Sequence, residues 1–118
     1  MPLTTSARRL GGVVVVDCRG RIVLGEESST LRILVKDLLT KSRQIVLELG
    51  EVAYIDSAGL GALVGLYTSA RNAGGDIKLA NLGPRLRDLL QITRLYTVFE
   101  VFATAEDAAA AFARSASA

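Results

Sequence analysis

The sequence predicts an α/β fold: a single mixed, mostly parallel β-sheet, opened by an N-terminal hairpin and continued by βαβ units, with about four packed helices. Short runs of β-branched residues alternate with stretches whose apolar residues recur every three or four positions, which is the pattern of strands alternating with amphipathic helices. Nearly every change of period is punctuated by Gly, Pro or a capping residue. The 118 residues, half of them hydrophobic and 22% charged, suffice for one compact domain and leave no room for a second. That domain is expected to span 1–118, with a core from about 11 to 113 and flexible termini.

The elements follow in order. After a polar start at residues 2–9, Gly12-Val-Val-Val-Val-Asp-Cys18 reads as a strand, because β-branched side chains suit a pleated surface. Arg19-Gly20 reads as a turn and Arg21-Ile-Val-Leu24 as the returning strand of the hairpin, since Gly accepts a positive φ. From Glu26 the period changes. Leu31, Leu34, Val35, Leu38 and Leu39 form an apolar helical stripe, with Glu26 and Glu27 at its start and Lys41 just past its end, as the helix dipole favours.

Gln44-Ile-Val-Leu-Glu-Leu49 is nearly continuous in apolar residues and reads as a strand buried on both faces. A second helix follows Asp56-Ser57; Leu60, Leu63, Val64 and Tyr67 share its inner face and Gly74-Gly75 ends it. Asp76-Ile-Lys-Leu-Ala80 is the next strand. Pro84, after Gly83, opens a third helix with Leu86, Leu89 and Leu90 facing inward. Residues 97–103 read as the last strand, and Thr104-Ala-Glu-Asp107 resembles a capping box that starts an alanine-rich helix, frayed from 114 onward. This order, β-β-α-β-α-β-α-β-α, requires right-handed crossovers onto a largely parallel sheet.

Composition excludes several classes of function. Fourteen Lys plus Arg against 12 Asp plus Glu give a net charge of only +2, and the basic residues are scattered with few aromatics, so no nucleic-acid partner is expected. Histidine is absent, which removes Ser-His-Asp and Cys-His nucleophile pairs and imidazole metal sites. The single cysteine, Cys18, permits no internal disulfide and no CxxC motif, and reads as a small core residue. The apolar run 13–16 is far shorter than a signal-peptide core or a membrane span. The expected protein is cytoplasmic, uses no cofactor or metal, does not engage a membrane and is not an enzyme.

The informative segment is Val52-Ala-Tyr-Ile-Asp-Ser-Ala-Gly-Leu-Gly-Ala-Leu-Val-Gly65, where a β-favouring stretch runs directly into a helix. A hydroxyl at that junction lies beside unpaired backbone N–H groups and the positive end of the helix dipole, so an added phosphate would find donors there. The residues alone leave other readings open. Ser57 can be a plain N-cap with Asp56 a turn residue. Gly59, Gly61 and Gly65 approach a dinucleotide fingerprint, although the following strand ends at Asn81 where a ribose-binding acid belongs. Ser57 as a hydrolase nucleophile lacks a visible base, Lys36, Lys41 and Lys78 being on other elements.

The hexapeptide Asp56-Ser-Ala-Gly-Leu-Gly61, the preceding Ile45-Val-Leu-Glu-Leu49 and the Gly74-Gly75 before Ile77-Lys-Leu79 resemble the STAS domain family, specifically the bacterial anti-sigma factor antagonists. The resemblance covers roughly residues 13–112. It implies that Ser57 is phosphorylated by a GHKL-type serine kinase that is also an anti-sigma factor. The unphosphorylated form would bind that partner and release a sigma factor, and a PP2C-type phosphatase would reset the switch. The implied contact surface is Asp56, Ser57, Ala58, Gly59, Leu60 and Gly61, with Arg21 and Glu26 from the segment before the first helix.

Two features depart from the family pattern. Gly20-Arg-Ile-Val-Leu-Gly-Glu-Glu27 stands where many relatives have a Gly-Glu-Leu-Asp-like strand, so Arg21 replaces an acid and one residue is added. Ala58 stands where relatives often have a second hydroxyl. The alternative within the family is a non-switching subunit of a stressosome-like scaffold or of an ABC lipid-transport assembly. The sequence sets no oligomeric state.

Overall fold

A computed structural model describes residues 3–117, apart from the side chains of 26–28 and 114–117. Its elements are β1 (Thr4–Leu10), β2 (Val13–Ile22), α1 (Glu26–Leu39), β3 (Gln44–Ile55), α2 (Ser57–Asn72), β4 (Asp76–Ala80), α3 (Pro84–Thr93), β5 (Val101–Phe102) and α4 (Ala105–Ser117). The strands form one sheet in the order β1-β2-β3-β4-β5, with β1 antiparallel to β2 and every other pair parallel. The expected mixed α/β sheet with four helices is the fold observed.

The hairpin is present but shifted: the segments expected as its two strands, 12–18 and 21–24, fall largely within the single strand β2. The first strand of the hairpin is the polar segment Thr4–Leu10, and its turn is Gly11-Gly12, with Gly11 at φ +63°. Arg19-Gly20 does not turn the chain. β2 runs through it, with register shifts against β3 between Asp17 and Arg19 and between Gly20 and Arg21; the positive φ of Gly20 serves this irregularity rather than a reversal. The strand expected at 97–103 shrinks to the two residues of β5. Before it, Arg94 in the left-handed region closes α3 and Leu95–Thr97 forms a single 3-10 turn, which buries Phe99 edge-on against Tyr67 at 5.3 Å between ring centres.

Helices cover both faces of the sheet. Val14, Val16 and Cys18 point to a core shared with α1, α2 and α3, through Leu31, Val35, Leu63, Leu66, Leu86 and Leu90. The alternate residues Val13 and Val15 point the other way, with Val46 and Ala80, onto Ala105, Ala108 and Phe112 of α4. This explains the unbroken valine run: successive strand residues face opposite sides, and both sides are dry. Each fully buried Val or Leu stabilises the fold by about 1.5–3 kcal/mol. The α4 helix is capped by Thr104, whose hydroxyl accepts the Asp107 N–H at 3.0 Å. Its backbone stays helical to Ser117, past the point where fraying is expected.

One charged side chain is buried among these layers. Lys78, 2% exposed, donates to Glu100 at 2.5 Å and Asp76 at 3.4 Å. Its ammonium lies 4.7 Å from the Phe112 ring centre, so the charge is both paired and placed over an aromatic face.

Candidate functional site

The long central strand β3 ends where α2 begins, at one end of the sheet, and Asp56 makes the junction. Its extended backbone (φ −99°, ψ −177°) suits an N-cap, and its carboxylate Oδ1 accepts the Gly59 N–H at 2.7 Å. The other oxygen, Oδ2, accepts the Leu24 N–H at 3.0 Å, and the Asp56 N–H donates to the Ile22 carbonyl at 3.3 Å. One residue therefore ties the start of α2 to the loop after β2. These bonds, that from Gly59 foremost and then that from Leu24, favour the ionised form and hold the Asp56 carboxyl below its ordinary pKa.

Asp56, not Ser57, is thus the cap. Both residue types cap well, but the aspartate reaches two N–H donors at once and leaves Ser57 as the first residue inside the helix. Ser57 is exposed, and among the described residues no hydrogen bond engages its hydroxyl. At this position the hydroxyl stands at the positive end of a 16-residue helix, beside N–H groups that have no intrahelical acceptor.

The glycines of the hexapeptide differ in role. Gly59 is buried, and a β-carbon there would overlap the Ile22 carbonyl oxygen. Gly61 and Gly65 lie exposed, with open space where side chains would stand. The resemblance to a dinucleotide fingerprint fails on this geometry, because Gly59 is closed by strand β2 and offers no approach to a pyrophosphate. Of the lysines considered as a hydrolase base, Lys78 is buried in the middle of β4 and paired with Asp76 and Glu100. Burial pushes the Cys18 thiol up to about 12, which makes it an inert core residue.

The structure brings Asp56, Ser57, Ala58, Gly59, Leu60 and Gly61 onto one helical turn, with Ser57 and Gly61 exposed and Ala58 and Leu60 partly so. It also brings Arg21 beside them, since Arg21 pairs in register with Tyr54, two residues before the cap. Glu26 is the first residue of α1, but its side chain lies outside the described residues.

Apolar side chains are exposed around this end of the sheet, of which the sequence singles out only Tyr54, as a residue to pack under α2 or to line the contact surface. Leu24, 76% exposed, stands on the loop that Asp56 holds. Tyr54, Leu89 and Ile92 line a shallow groove of about 600 Å³, edged by Arg85 and Asp88. Ile92 sits in a helix whose Leu86 and Leu90 are buried, so only the helical phase, read residue by residue, separates it from the core set.

The family model for the STAS domain matches residues 4–108. Among curated proteins, the chain is similar to the anti-sigma-B factor antagonist of Bacillus subtilis, with 35% identity over 85 residues, which are 72% of this chain and 65% of that protein. The matched stretch is thus a little under two thirds of that relative's length. The chain is also similar to the anti-sigma F factor antagonist of Paenibacillus polymyxa, 28% identical over 94 residues that cover 77% of this chain and 79% of that one. Among solved structures, it resembles an anti-sigma factor antagonist from Mycobacterium paratuberculosis with a TM-score of 0.79, at 24% identity and 92% coverage of both chains; at that identity the likeness concerns the fold. No helix among the described residues is long and apolar enough to cross a membrane.

Proposed function

The chain belongs to the STAS domain family, and from that membership we propose that it is an anti-sigma factor antagonist switched by phosphorylation of Ser57. The unphosphorylated protein binds a GHKL-type serine kinase that doubles as an anti-sigma factor, and so releases the sigma factor in the cytoplasm. In the kinase reaction the Ser57 Oγ attacks the γ-phosphorus of ATP, its proton passes to a base on the kinase, and ADP leaves. A PP2C-type phosphatase returns the hydroxyl by directing water onto the phosphoserine phosphorus.

The observation that carries this reading is the exposed, unengaged Ser57 hydroxyl at the first position of α2, fixed by the double hydrogen bond of Asp56 to Gly59 and Leu24. Such a group is open to a kinase and stands on rigid scaffold, so a phosphate of about −1.5 to −2 charges appears at one defined point of the surface. Tyr54, Leu24 and Arg21 around it supply the apolar and basic contacts of a partner-binding face.

The test is incubation of the purified protein with its candidate kinase and ATP, followed by intact-mass measurement. One phosphate is expected on the wild type and none on Ser57→Ala. Stoichiometric phosphorylation of Ser57→Ala, at Ser29 or Thr30 for instance, sinks the assignment.

A further inference from the structure

We propose that the cleft at the opposite end of the sheet, where the parallel strands begin, binds a compact, multiply charged phosphate anion. The cleft is open to solvent and measures about 730 Å³, room enough for a small ligand. It is distant from the switch. Gln44 lines it and Ile55 adjoins Ser57, so the 12 residues of β3, roughly 35 Å in extended form, separate the two.

The lining carries five basic side chains against the carboxylates of Asp76 and Glu100. Its positive excess is therefore larger than the +2 of the entire chain. Three of the five have partners: Lys41 with Asp37 at 3.6 Å, Arg71 with Asp76 at 4.0 Å, and Lys78 with Glu100 and Asp76. Lys41 and Arg71 also stand near the C-terminal ends of α1 and α2, where the helix dipole favours a cation.

Arg9 and Arg43 have no such role. Among the described residues, neither has an acid within 4.0 Å or a side-chain hydrogen bond, and they come from the sheet edge and from the connection between α1 and β3. Arg43 is fixed through its backbone. Its carbonyl accepts the Asp76 N–H at 2.8 Å, and Gly75 packs so closely on it that a β-carbon at 75 would overlap the Arg43 carbonyl. Gly74, at φ +82°, keeps the space beside the guanidinium clear, 3.8 Å from where its own β-carbon would be. Arg9 and Arg43 both line the same cleft, and the planar forks of two guanidinium groups without acid partners match phosphate oxygens. A concavity gathers charge onto a small ligand rather than along a nucleic-acid track.

The test is a titration of the 15N-labelled full chain with inorganic tripolyphosphate at low ionic strength. Saturable amide shifts are expected at Gly12, Ser42, Gly74 and Gly75, with 56–61 unmoved. The double variant R9Q/R43Q, both positions being exposed and unpaired, should keep the wild-type melting temperature and bind at least about tenfold more weakly. Ser57→Ala should bind as the wild type does, so this result stands or falls apart from the switch. Absence of saturation by about 10 mM, shifts centred elsewhere, or equal binding by the double variant overturns the proposal.

Discussion

Gly59 lies flat against the carbonyl of Ile22, so close that a β-carbon at position 59 would overlap the oxygen. Helix α2 is therefore seated directly on the backbone of β2, and the same Ile22 carbonyl accepts the N–H of Asp56. The glycine is required by proximity to another strand, not by an unusual φ of its own.

Gly59→Ala must push α2 away from β2 or distort the junction, and the obstacle is backbone, which cannot rotate aside. A destabilisation of about 3 kcal/mol is expected, or a melting temperature lower by about 10 °C. Gly61→Ala meets open space on an exposed helical face and should raise stability by about 0.5–1 kcal/mol. Thermal unfolding of the two variants side by side checks both signs. Equal effects would show that the approach to Ile22 is not what the glycine serves.

The Asp56 carboxylate accepts N–H groups from Gly59 and Leu24, and its pKa is lower folded than unfolded. The folded state therefore prefers the ionised form. Its contribution is whole above the ordinary carboxylate pKa of 3.8 and disappears as pH falls through the lower folded value. Asp56→Ala should accordingly destabilise the protein by a constant amount from neutral pH down to about 5, and by a shrinking amount below about 4. Denaturant unfolding of both proteins across this range measures the difference, and a gap that widened on acidification would contradict the assignment.

Legibility in the sequence followed the strength of local chemistry. β4 was readable to the residue and α3 at its start, because Gly74-Gly75 and Pro84 mark their starts and both have clear apolar patterns. β1 was not, because an edge strand with one partner and mostly exposed side chains carries no alternation to detect. Gly20 reads as a turn residue, yet the parallel pairing of β2 with β3 continues through it and turns the same positive φ into an irregularity of register. The hexapeptide located the candidate site, but the choice between Asp56 and Ser57 as cap was invisible. It depends on the Leu24 N–H, 32 residues away in sequence, which no local pattern encodes.

Lys78 separates two sources of stability in β4. Its side chain is buried, with the ammonium over the rings of Phe102 and Phe112, while its partners are more open, Glu100 being 63% and Asp76 21% exposed. If the ammonium is removed, both acids can rehydrate, so Lys78→Met, which keeps the stem's bulk, should change stability by no more than about 1 kcal/mol. Lys78→Ala leaves a void and should cost about 2–3 kcal/mol. Chemical denaturation distinguishes these, and a methionine variant as unstable as the alanine one would show that the ion pairs themselves hold the strand.

On the proposed switch, phosphate at Ser57 should block the partner while leaving the fold intact. The added dianion sits at the first turn of α2, where the dipole favours an anion by about 0.3–1 kcal/mol at an exposed site. Asp56 opposes it with a like charge, but the carboxylate is already held by the Gly59 and Leu24 N–H groups, and solvent screens the repulsion between exposed charges. The two effects nearly cancel, so the melting temperature should move by no more than a few degrees, with amide shifts confined to 56–61 and to the loop at Leu24 that Asp56 tethers. An interface that covers Ser57 changes the balance, because it must strip water from the dianion without offering donors in return, a penalty of several kcal/mol. Partner affinity should then fall by orders of magnitude. Chemical-shift mapping and calorimetry on the phosphoprotein test this together: shifts spread through β4 and α3, or a melting temperature lower by about 10 °C, would mean that phosphate acts by remodelling the domain, and the local electrostatic mechanism would be abandoned.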